Sequence, residues 1–374
     1  MRTYKIRLLP TQEQETLLWK HINACRFIWN WGLATQIKIY EETGKKLNGF
    51  ALMKMLTPLK KQEGYQWLNE VNNASLQNVL KDLEQAYVNF FSGNGFGHPK
   101  FKSKKKARPV FPTRAERVYF KNNLATIPNI GKMPYQTNYT VPNQSTKIYN
   151  ARIEYVNNKW ILRISLECEN QTPILTDKSM GIDLGVKDLC NVAIGEDNIV
   201  VKNINKTQEV KRKQKKLKRL QRKVSRKYCQ NGNYNKTKNI LKVEQQIKEL
   251  YYHISCIRKN HIHQTTHMLI SKLPKRVVME NLNVGNLVKN RHLAKAIQEQ
   301  CFFEFRRQMQ YKCEWNGIEF VLADRFYPSS KTCSNCGNIK KDLKLSDRTY
   351  ICPECGLVID RDYNAAINLM KYAK

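Results

Sequence analysis

Four cysteines and three carboxylates are the residues of this 374-residue chain whose types and spacing could do chemistry. Cys333-Ser-Asn-Cys336 and Cys352-Pro-Glu-Cys355 stand fifteen residues apart, a C-x2-C-x15-C-x2-C pattern. Each pair fits a tight knuckle. Gly337 and Gly356 follow the second cysteine of each pair, where a missing Cβ eases the turn. Four thiolates make a closed tetrahedral site suited to one structural Zn2+, with no open position for catalysis. Two redox C-x-x-C motifs are the competing reading, and they leave the doubled spacing and matched glycines unexplained. The other cysteines, Cys25, Cys168, Cys190, Cys229, Cys256, Cys301 and Cys313, are scattered, which reads as reduced thiols rather than a disulfide framework.

The carboxylates are marked by their surroundings. Asp183 lies mid-strand in Gly181-Ile-Asp-Leu-Gly185, Glu280 ends the apolar run Val277-Val278-Met279, and Asp362 lies in Asp360-Arg-Asp-Tyr-Asn-Ala-Ala366. A carboxylate inside or at the end of a buried strand is costly unless it is paired or binds metal. Three of them converging from separate segments could hold two Mg2+ ions about 4 Å apart, the arrangement that activates water and steadies the leaving oxygen in phosphodiester cleavage. Any single one is equally readable as a surface acid or a cap, Asp360 above all.

Positioning these groups requires two kinds of scaffold. Residues 3–9 alternate as a strand that Pro10 stops, and Thr11 with Gln14 fits a capping box opening a helix that runs to about 42. A second helix is expected over 75–91, broken by the glycines and proline of 92–99. From 100 the texture turns to β, with 151–156 and 161–166 pairing across Asn157-Asn158. This predicts a small β domain (1–10 and 97–175) interrupted by a helical insertion (11–96). A larger unit follows, with strands at 181–186, 189–194, 199–201, 276–280 and 318–322. Between them lie a helical hairpin at 209–270, turning at 230–239, and one helix at 294–314. Strands alternating with helices in this way indicate an α/β core.

Composition names the partner. Lys and Arg number 65 against 31 Asp and Glu, a net charge of +34, and a charge that large opposes compaction unless an anion neutralises it. Hydrophobic residues make up 41%, enough for packed cores. No stretch reads as a bilayer span, and the start lacks an apolar signal core, so a cytoplasmic protein with a nucleic-acid partner is expected. Between 211 and 227, eleven of seventeen residues are basic and none is acidic. Lys211, Arg212, Lys215, Lys216, Arg219 and Arg222 form the densest phosphate-binding candidate, and 100–106, with Lys102 and Lys104, is a second. Tyr40, Phe96 and Tyr119 are weaker candidates for base stacking, and His261, His263 and His267 read as polar surface.

The combined motifs resemble the TnpB family, also called OrfB-type transposon proteins, compact relatives of type V CRISPR nucleases. Those motifs are Gly-Ile-Asp183-Leu-Gly, Glu280-Asn-Leu, the paired C-x2-C and Asp360-Arg-Asp362-Tyr-Asn-Ala-Ala. Tyr4-Lys-Ile-Arg-Leu-Leu-Pro, Arg26-Phe-Ile-Trp-Asn30 and Gly97-His-Pro-Lys-Phe-Lys-Ser103 extend the resemblance to the N-terminal half. It implies a multidomain α+β protein: a β-barrel-like wedge domain, a helical recognition lobe, and an RNase H-like (RuvC) nuclease domain at 176–326 and 358–374. A target-binding zinc ribbon at 327–357 would be inserted in the nuclease domain. It further implies Asp183, Glu280 and Asp362 as the Mg2+-binding catalytic set, and Arg348 in the ribbon near the scissile phosphate. A guide RNA from the transposon end and double-stranded target DNA are the implied partners, with a short motif beside the target read by the protein and the rest read by base pairing. No membrane or small-molecule substrate is implied, and the setting is prokaryotic and nucleoid-associated when DNA is bound. Two other readings stay open, an RNA-guided DNA-binding regulator that does not cut and a DNA-joining transposase. The chain without RNA is expected to be poorly soluble.

Overall fold

The computed structural model describes residues 1–93, 95–138, 147–170, 172–230, 232, 236–344 and 347–372. The chain divides into two compact units, Met1–Glu169 and Asn170–Lys374.

The first unit sets three helices on an antiparallel sheet. Strand β1 (Arg2–Leu8) leads into α1 (Gln12–Thr43), α2 (Gly49–Lys61) and α3 (Asn73–Phe91), and then β2 (Val110–Thr113), β3 (Tyr119–Lys121), β4 (Leu124–Ile127), β5 (Gly131–Gln136), β6 (Ile148–Val156) and β7 (Lys159–Leu166). Among the described residues the order is β2-β6-β7-β1-β5-β4-β3, and no pairing of β2 with β3 shows the expected barrel-like closure. The Thr11 capping box forms in full, and Gly44 closes α1 in the left-handed region. Asn157 and Asn158, at φ 49° and 60°, make the turn of the β6–β7 hairpin, and β7 pairs with β1 from Arg2↔Leu166 to Leu8↔Trp160. Alternation then buries Ile6 and Leu8 against Leu162 and Ile164. Helix α2 was not expected. Pro58 lies inside it, while Leu52, Leu56 and Leu59 give it a buried face that packs on α3.

The second unit is built on a mixed sheet. It comprises β8 (Ser179–Leu184), β9 (Asp188–Ile194), β10 (Asp197–Lys202), β11 (Arg276–Met279) and β12 (Glu319–Leu322), in the order β10-β9-β8-β11-β12. The first three form an antiparallel meander, whereas β8–β11 and β11–β12 are parallel. The crossover from β10 to β11 is the hairpin of α4 (Gln208–Gln230) and α5 (Lys238–Ile270), closed by a seam of Val210, Leu217 and Ile254 with Ile247, Leu250 and Ile257. Of the expected turn at 230–239, residues 231 and 233–235 lie outside the described residues. After β11 come α6 (Val284–Leu287), α7 (Ala294–Gln300) and α8 (Phe302–Trp315). The single helix expected at 294–314 is two, because Cys301 sits at φ 55°, ψ 41° and breaks the hydrogen-bond ladder. A small hairpin of β13 (Thr349–Ile351) and β14 (Val358–Asp360) precedes the last helix, α9 (Arg361–Met370). Among the described residues, no helix is long and apolar enough to cross a membrane.

Candidate active site

The strand register brings the first two carboxylates together. Strands β8 and β11 are parallel neighbours with Ile182 opposite Met279. Asp183 and Glu280 are the next residue of each, side by side at the carboxyl ends. The chain order turns at β8, running outward to β9 and β10 on one side and to β11 and β12 on the other. Ligands of open α/β sheets bind at such a switch point. Val277, Val278 and Met279 are all fully buried, as a central parallel strand requires, so Glu280 is the first residue of that strand free to reach a polar space. Asp183 lies near the end of β8 rather than in its middle.

Asp362 arrives from the other direction, on the first turn of α9. Helix α9 lies flat on β8, and Gly181 is what permits it. A Cβ there would meet the Ala366 carbonyl oxygen at 2.0 Å and the Met370 nitrogen at 2.3 Å. Asp360 caps the helix, its Oδ1 accepting from the Asp362 and Tyr363 amides at 2.9 and 3.0 Å. Asp360 is therefore a cap, and Asp362 faces the sheet carboxylates.

Burial raises the Asp183 carboxyl well above the ordinary carboxylate range. The charges of Glu280 and Asp362 add to the shift, as does a hydrogen bond with Glu280, and Arg361 opposes it. Asp183 is 9% exposed. Glu280 is held at Oε1 by the Ser329 hydroxyl, which donates at 2.7 Å. Asp362 meets two guanidinium groups, Arg361 Nη2 at 3.3 Å and Arg348 Nη1 at 3.8 Å. With Asp183 buried and Glu280 and Asp362 half-buried, this mutually repelling set of hard oxygen donors fits a divalent cation such as Mg2+, whose charge would reverse the local repulsion.

The second candidate metal site is compact. Cys333, Cys336, Cys352 and Cys355 have sulfurs that all lie within 4.8 Å of one another. Cys333 and Cys355 are 3.6 Å apart and Cys336 and Cys352 3.5 Å, near the roughly 3.8 Å edge of a tetrahedron around zinc. The two knuckles repeat one pattern. Gly337 and Gly356 donate back to Cys333 and Cys352, at φ 80° and 70°, as the sequence predicted. At Cys355 the Leu357 backbone N–H and the Asn335 side chain bring the thiol down to about 6. Tyr350, fully buried, forms the ribbon core with Leu343, Leu357 and Ile359.

Residues that the sequence did not mark tie these two sites together. Asn364 and Asn368, one helical turn apart on α9, are buried. Asn364 Nδ2 donates to the Thr332 carbonyl at 2.7 Å, and its Oδ1 accepts from the Ser334 amide at 2.9 Å. Asn368 Nδ2 donates to the Ser329 and Thr332 carbonyls at 2.8 and 2.6 Å. The strap into the ribbon is thus clamped to α9, and Ser329 within it holds Glu280. The four-residue spacing of the asparagines was the available signal.

The basic candidates separate by unit. Lys211, Arg212, Lys215, Lys216, Arg219 and Arg222 are all exposed along α4, and most of them line one open groove. In the first unit Lys104 is exposed, but Lys102 is not a free surface cation. Its Nζ stands 3.3 Å from the centre of the Trp29 ring, and burial brings it down to about 8. Asn30 exchanges hydrogen bonds with the Lys102 backbone, and Trp29 Nε1 donates to the Lys100 carbonyl, so the two N-terminal motifs pack on each other. Tyr40, Phe96 and Tyr119 are exposed at 60%, 59% and 41%. His261 Nε2 lies 3.1 Å from the Lys202 carbonyl, while His263 and His267 are exposed.

Known proteins match throughout. A family model described as a probable transposase of the OrfB IS605 type matches residues 163–291, and a Cas12f1-like TNB domain model matches 302–369. A helix-turn-helix model of the OrfB IS605 type matches 1–45, although here that region is one strand and one 32-residue helix. The chain is 30% identical over 375 residues to a candidate RNA-guided DNA endonuclease of Streptomyces pristinaespiralis, covering 99% of this chain and 88% of that one. It is also 30% identical over 386 residues to the candidate RNA-guided DNA endonuclease InsQ of Escherichia coli strain K12, covering 99% and 92%. Among solved structures, a Cas12f1–sgRNA–target DNA complex shares the fold at a TM-score of 0.61 and 14% identity, over 96% of this chain and 82% of that one. With nearly the whole sequence aligned at 30% identity, this chain belongs to the TnpB family of OrfB-type transposon proteins.

Proposed function

We propose that this protein is an RNA-guided DNA endonuclease that binds a transposon-derived guide RNA and cuts target DNA at the Asp183–Glu280–Asp362 site. The observation that carries this reading is the convergence of those three carboxylates at the sheet's switch point, with Asp183 buried against Glu280. The names of the relatives support the activity and the RNA guide. The mixed sheet and the ribbon beside α9 support an RNase H-like (RuvC) domain carrying a zinc ribbon, and the N-terminal sheet and helices are read as the wedge and recognition lobe.

Magnesium, when bound, would supply the charge that neutralises the phosphodiester and activates water. Asp183, Glu280 and Asp362 would hold it through carboxylate oxygens. Ser329 holds Glu280 at Oε1 and would keep its carboxylate turned toward the site. The N-terminal end of α9 steadies the charge on Asp362. Arg348, half-exposed beside Asp362, would meet a phosphate of the substrate. The exposed cations of α4 would bind RNA or heteroduplex phosphates, with an affinity that falls steeply as salt rises.

The test is to purify the protein with its RNA, sequence that RNA, and offer DNA carrying the matching target beside a randomised flank. Mg2+-dependent cutting next to one short motif, lost in Asp183→Ala with RNA content unchanged, is the expected result. Tight target binding without any cutting would establish a regulator instead, and strand-transfer products would establish a transposase.

A further inference from the structure

Asp183 is the second-last residue of β8, and the strand end that carries it is paired on one side only. The register with β11 stops at Ile182, whereas β9 still pairs Asp183 with Asn191 and Leu184 with Cys190. The position of the Asp183 carboxylate therefore depends on the turn that joins β8 to β9. Side chains hold that turn, and all four carbonyl oxygens from Gly185 to Asp188 accept from them. Gln300 Nε2 donates to the Gly185 carbonyl at 2.9 Å and to those of Val186 and Asp188 at 3.4 Å each. Asn203 Nδ2 donates to the Val186 carbonyl at 2.9 Å, and Lys206 Nζ to the Lys187 carbonyl at 2.8 Å.

Gln300 itself has a fixed base. It is the last residue of α7, 3% exposed, and the left-handed backbone of Cys301 follows it. Its neighbour Glu299 engages the α4–α5 hairpin. Glu299 Oε1 accepts from Gln214 of α4 at 3.0 Å and pairs with Arg258 of α5 at 3.3 Å. The Glu299 carbonyl accepts from Asn205 Nδ2 at 2.9 Å, and Arg258 Nε donates to Asn205 Oδ1 at 2.7 Å. A buried primary amide is costly unless it is hydrogen-bonded. The groups that satisfy this one are the backbone that follows Asp183.

We propose that Gln300 is a positioning residue for cutting. By gathering the carbonyls of the β8–β9 turn it fixes the end of β8, and with it the Asp183 carboxylate beside Glu280 and Asp362. Lys206 does the same more weakly from the surface. The proposal rests on the nuclease reading above.

The test uses the purified protein–RNA complex and two variants. Gln300→Met fills the same space without a donor, and Lys206→Met removes the exposed donor. Three quantities are measured below the melting temperature: kcat for guide-matched DNA, the Mg2+ concentration for half-maximal rate, and Mn2+ binding by electron paramagnetic resonance. The Mn2+ counted is the part lost in Asp183→Ala. Gln300→Met should lower kcat and Mn2+ affinity about tenfold each and raise the Mg2+ requirement, as loss of an outer support of a metal ligand does. KM for DNA and RNA content should not change. Lys206→Met should move the same quantities in the same direction by less, at an unchanged melting temperature. A Gln300→Met complex that melts earlier but keeps kcat and Mn2+ affinity would overturn the proposal, because the amide would then only pack. If Gln300→Met does not fold, Lys206→Met decides, and wild-type behaviour in it overturns the proposal. If the wild type binds Mn2+ at the carboxylates but does not cut, the nuclease reading fails and the Mn2+ comparison alone decides for Gln300. If it binds none there, both fail.

Discussion

The second unit holds two candidate metal centres that are built in opposite ways. The ribbon gathers four soft thiols from two short knuckles, each made by a glycine turn within a few residues, and its sulfurs stand at metal-binding spacing. The carboxylate site gathers hard oxygens from β8, the end of β11 and α9, almost 180 residues apart in sequence, and it is held open by partners that are not ligands: Gly181, Ser329, Asn364 and Asn368. Four thiols would leave a bound metal no open position for a substrate, and that metal would contribute folding energy. The carboxylates repel one another and draw on the rest of the unit for support, which suits chemistry and not stability. The clamp of Asn364 and Asn368 makes the stable centre a support for the costly one.

Removing the zinc that the four cysteines would hold should have the largest effect. Zinc binding to such sites contributes about 10–16 kcal/mol of folding energy. Cys352→Ser should lose zinc by atomic absorption and expose 333–357 to limited proteolysis. It should also abolish cutting, because the strap carrying Ser329 is clamped beside the ribbon. A zinc-free variant that still cut DNA at the wild-type rate would break the dependence of one centre on the other.

Asp183→Asn should sharpen the contrast by moving two quantities in opposite directions. Cutting should fall about a thousandfold, roughly 4 kcal/mol on the barrier. The chelated protein should become more stable by about 1 kcal/mol, because burial and two like charges disfavour the native carboxylate. The pH dependence follows from the raised value. Below the ordinary carboxylate range Asp183 is protonated in both states and carries no penalty. As pH rises through that range toward its raised value, the unfolded chain releases the proton and the folded chain does not, so stability is lost. Denaturant titrations of chelated wild type across this window should show that fall, and Asp183→Asn should lessen it. Equal slopes would mean Asp183 is not the strained group.

Gly181→Ala comes next, at about 3 kcal/mol of stability, since its Cβ would run into backbone of α9 rather than a side chain able to rotate away. Denaturation should show the loss. Cutting should fall further than stability does, because Asp362 rides on the displaced helix.

This glycine also shows what the sequence can and cannot say. Gly181-Ile-Asp183 was legible as a strand with an acid in it, and the four-cysteine cluster was legible outright because its members are local. The α4–α5 hairpin and the Asn157-Asn158 turn followed from periodicity and turn chemistry. What escaped depends on partners far along the chain. Nothing near Cys301 marks its left-handed backbone, since no glycine or proline lies in 294–314. Pro58 masked α2, whose buried leucines only tertiary packing reveals. Lys102 looked like one cation among several until Trp29 was found beneath it. Ser329 is one of two adjacent serines, and its partner Glu280 is 49 residues away.

Ser329→Ala is the smallest effect and the most discriminating. The hydroxyl gives Glu280 one hydrogen bond to a charged group, about 1.5–3 kcal/mol when made and less when water can replace it. The backbone of Ser329 is still held by Asn368, so the variant should fold with an unchanged melting temperature. Glu280 would then be free to rotate away from the cation. Cutting should drop about tenfold, with the loss in kcat rather than in DNA affinity, and the Mg2+ concentration needed for half-maximal rate should rise. Ser329→Thr, which keeps the hydroxyl, should restore much of both. If the alanine variant loses stability and threonine does not rescue the rate, Ser329 serves only to pack the strap, and Glu280 is positioned by the sheet register alone.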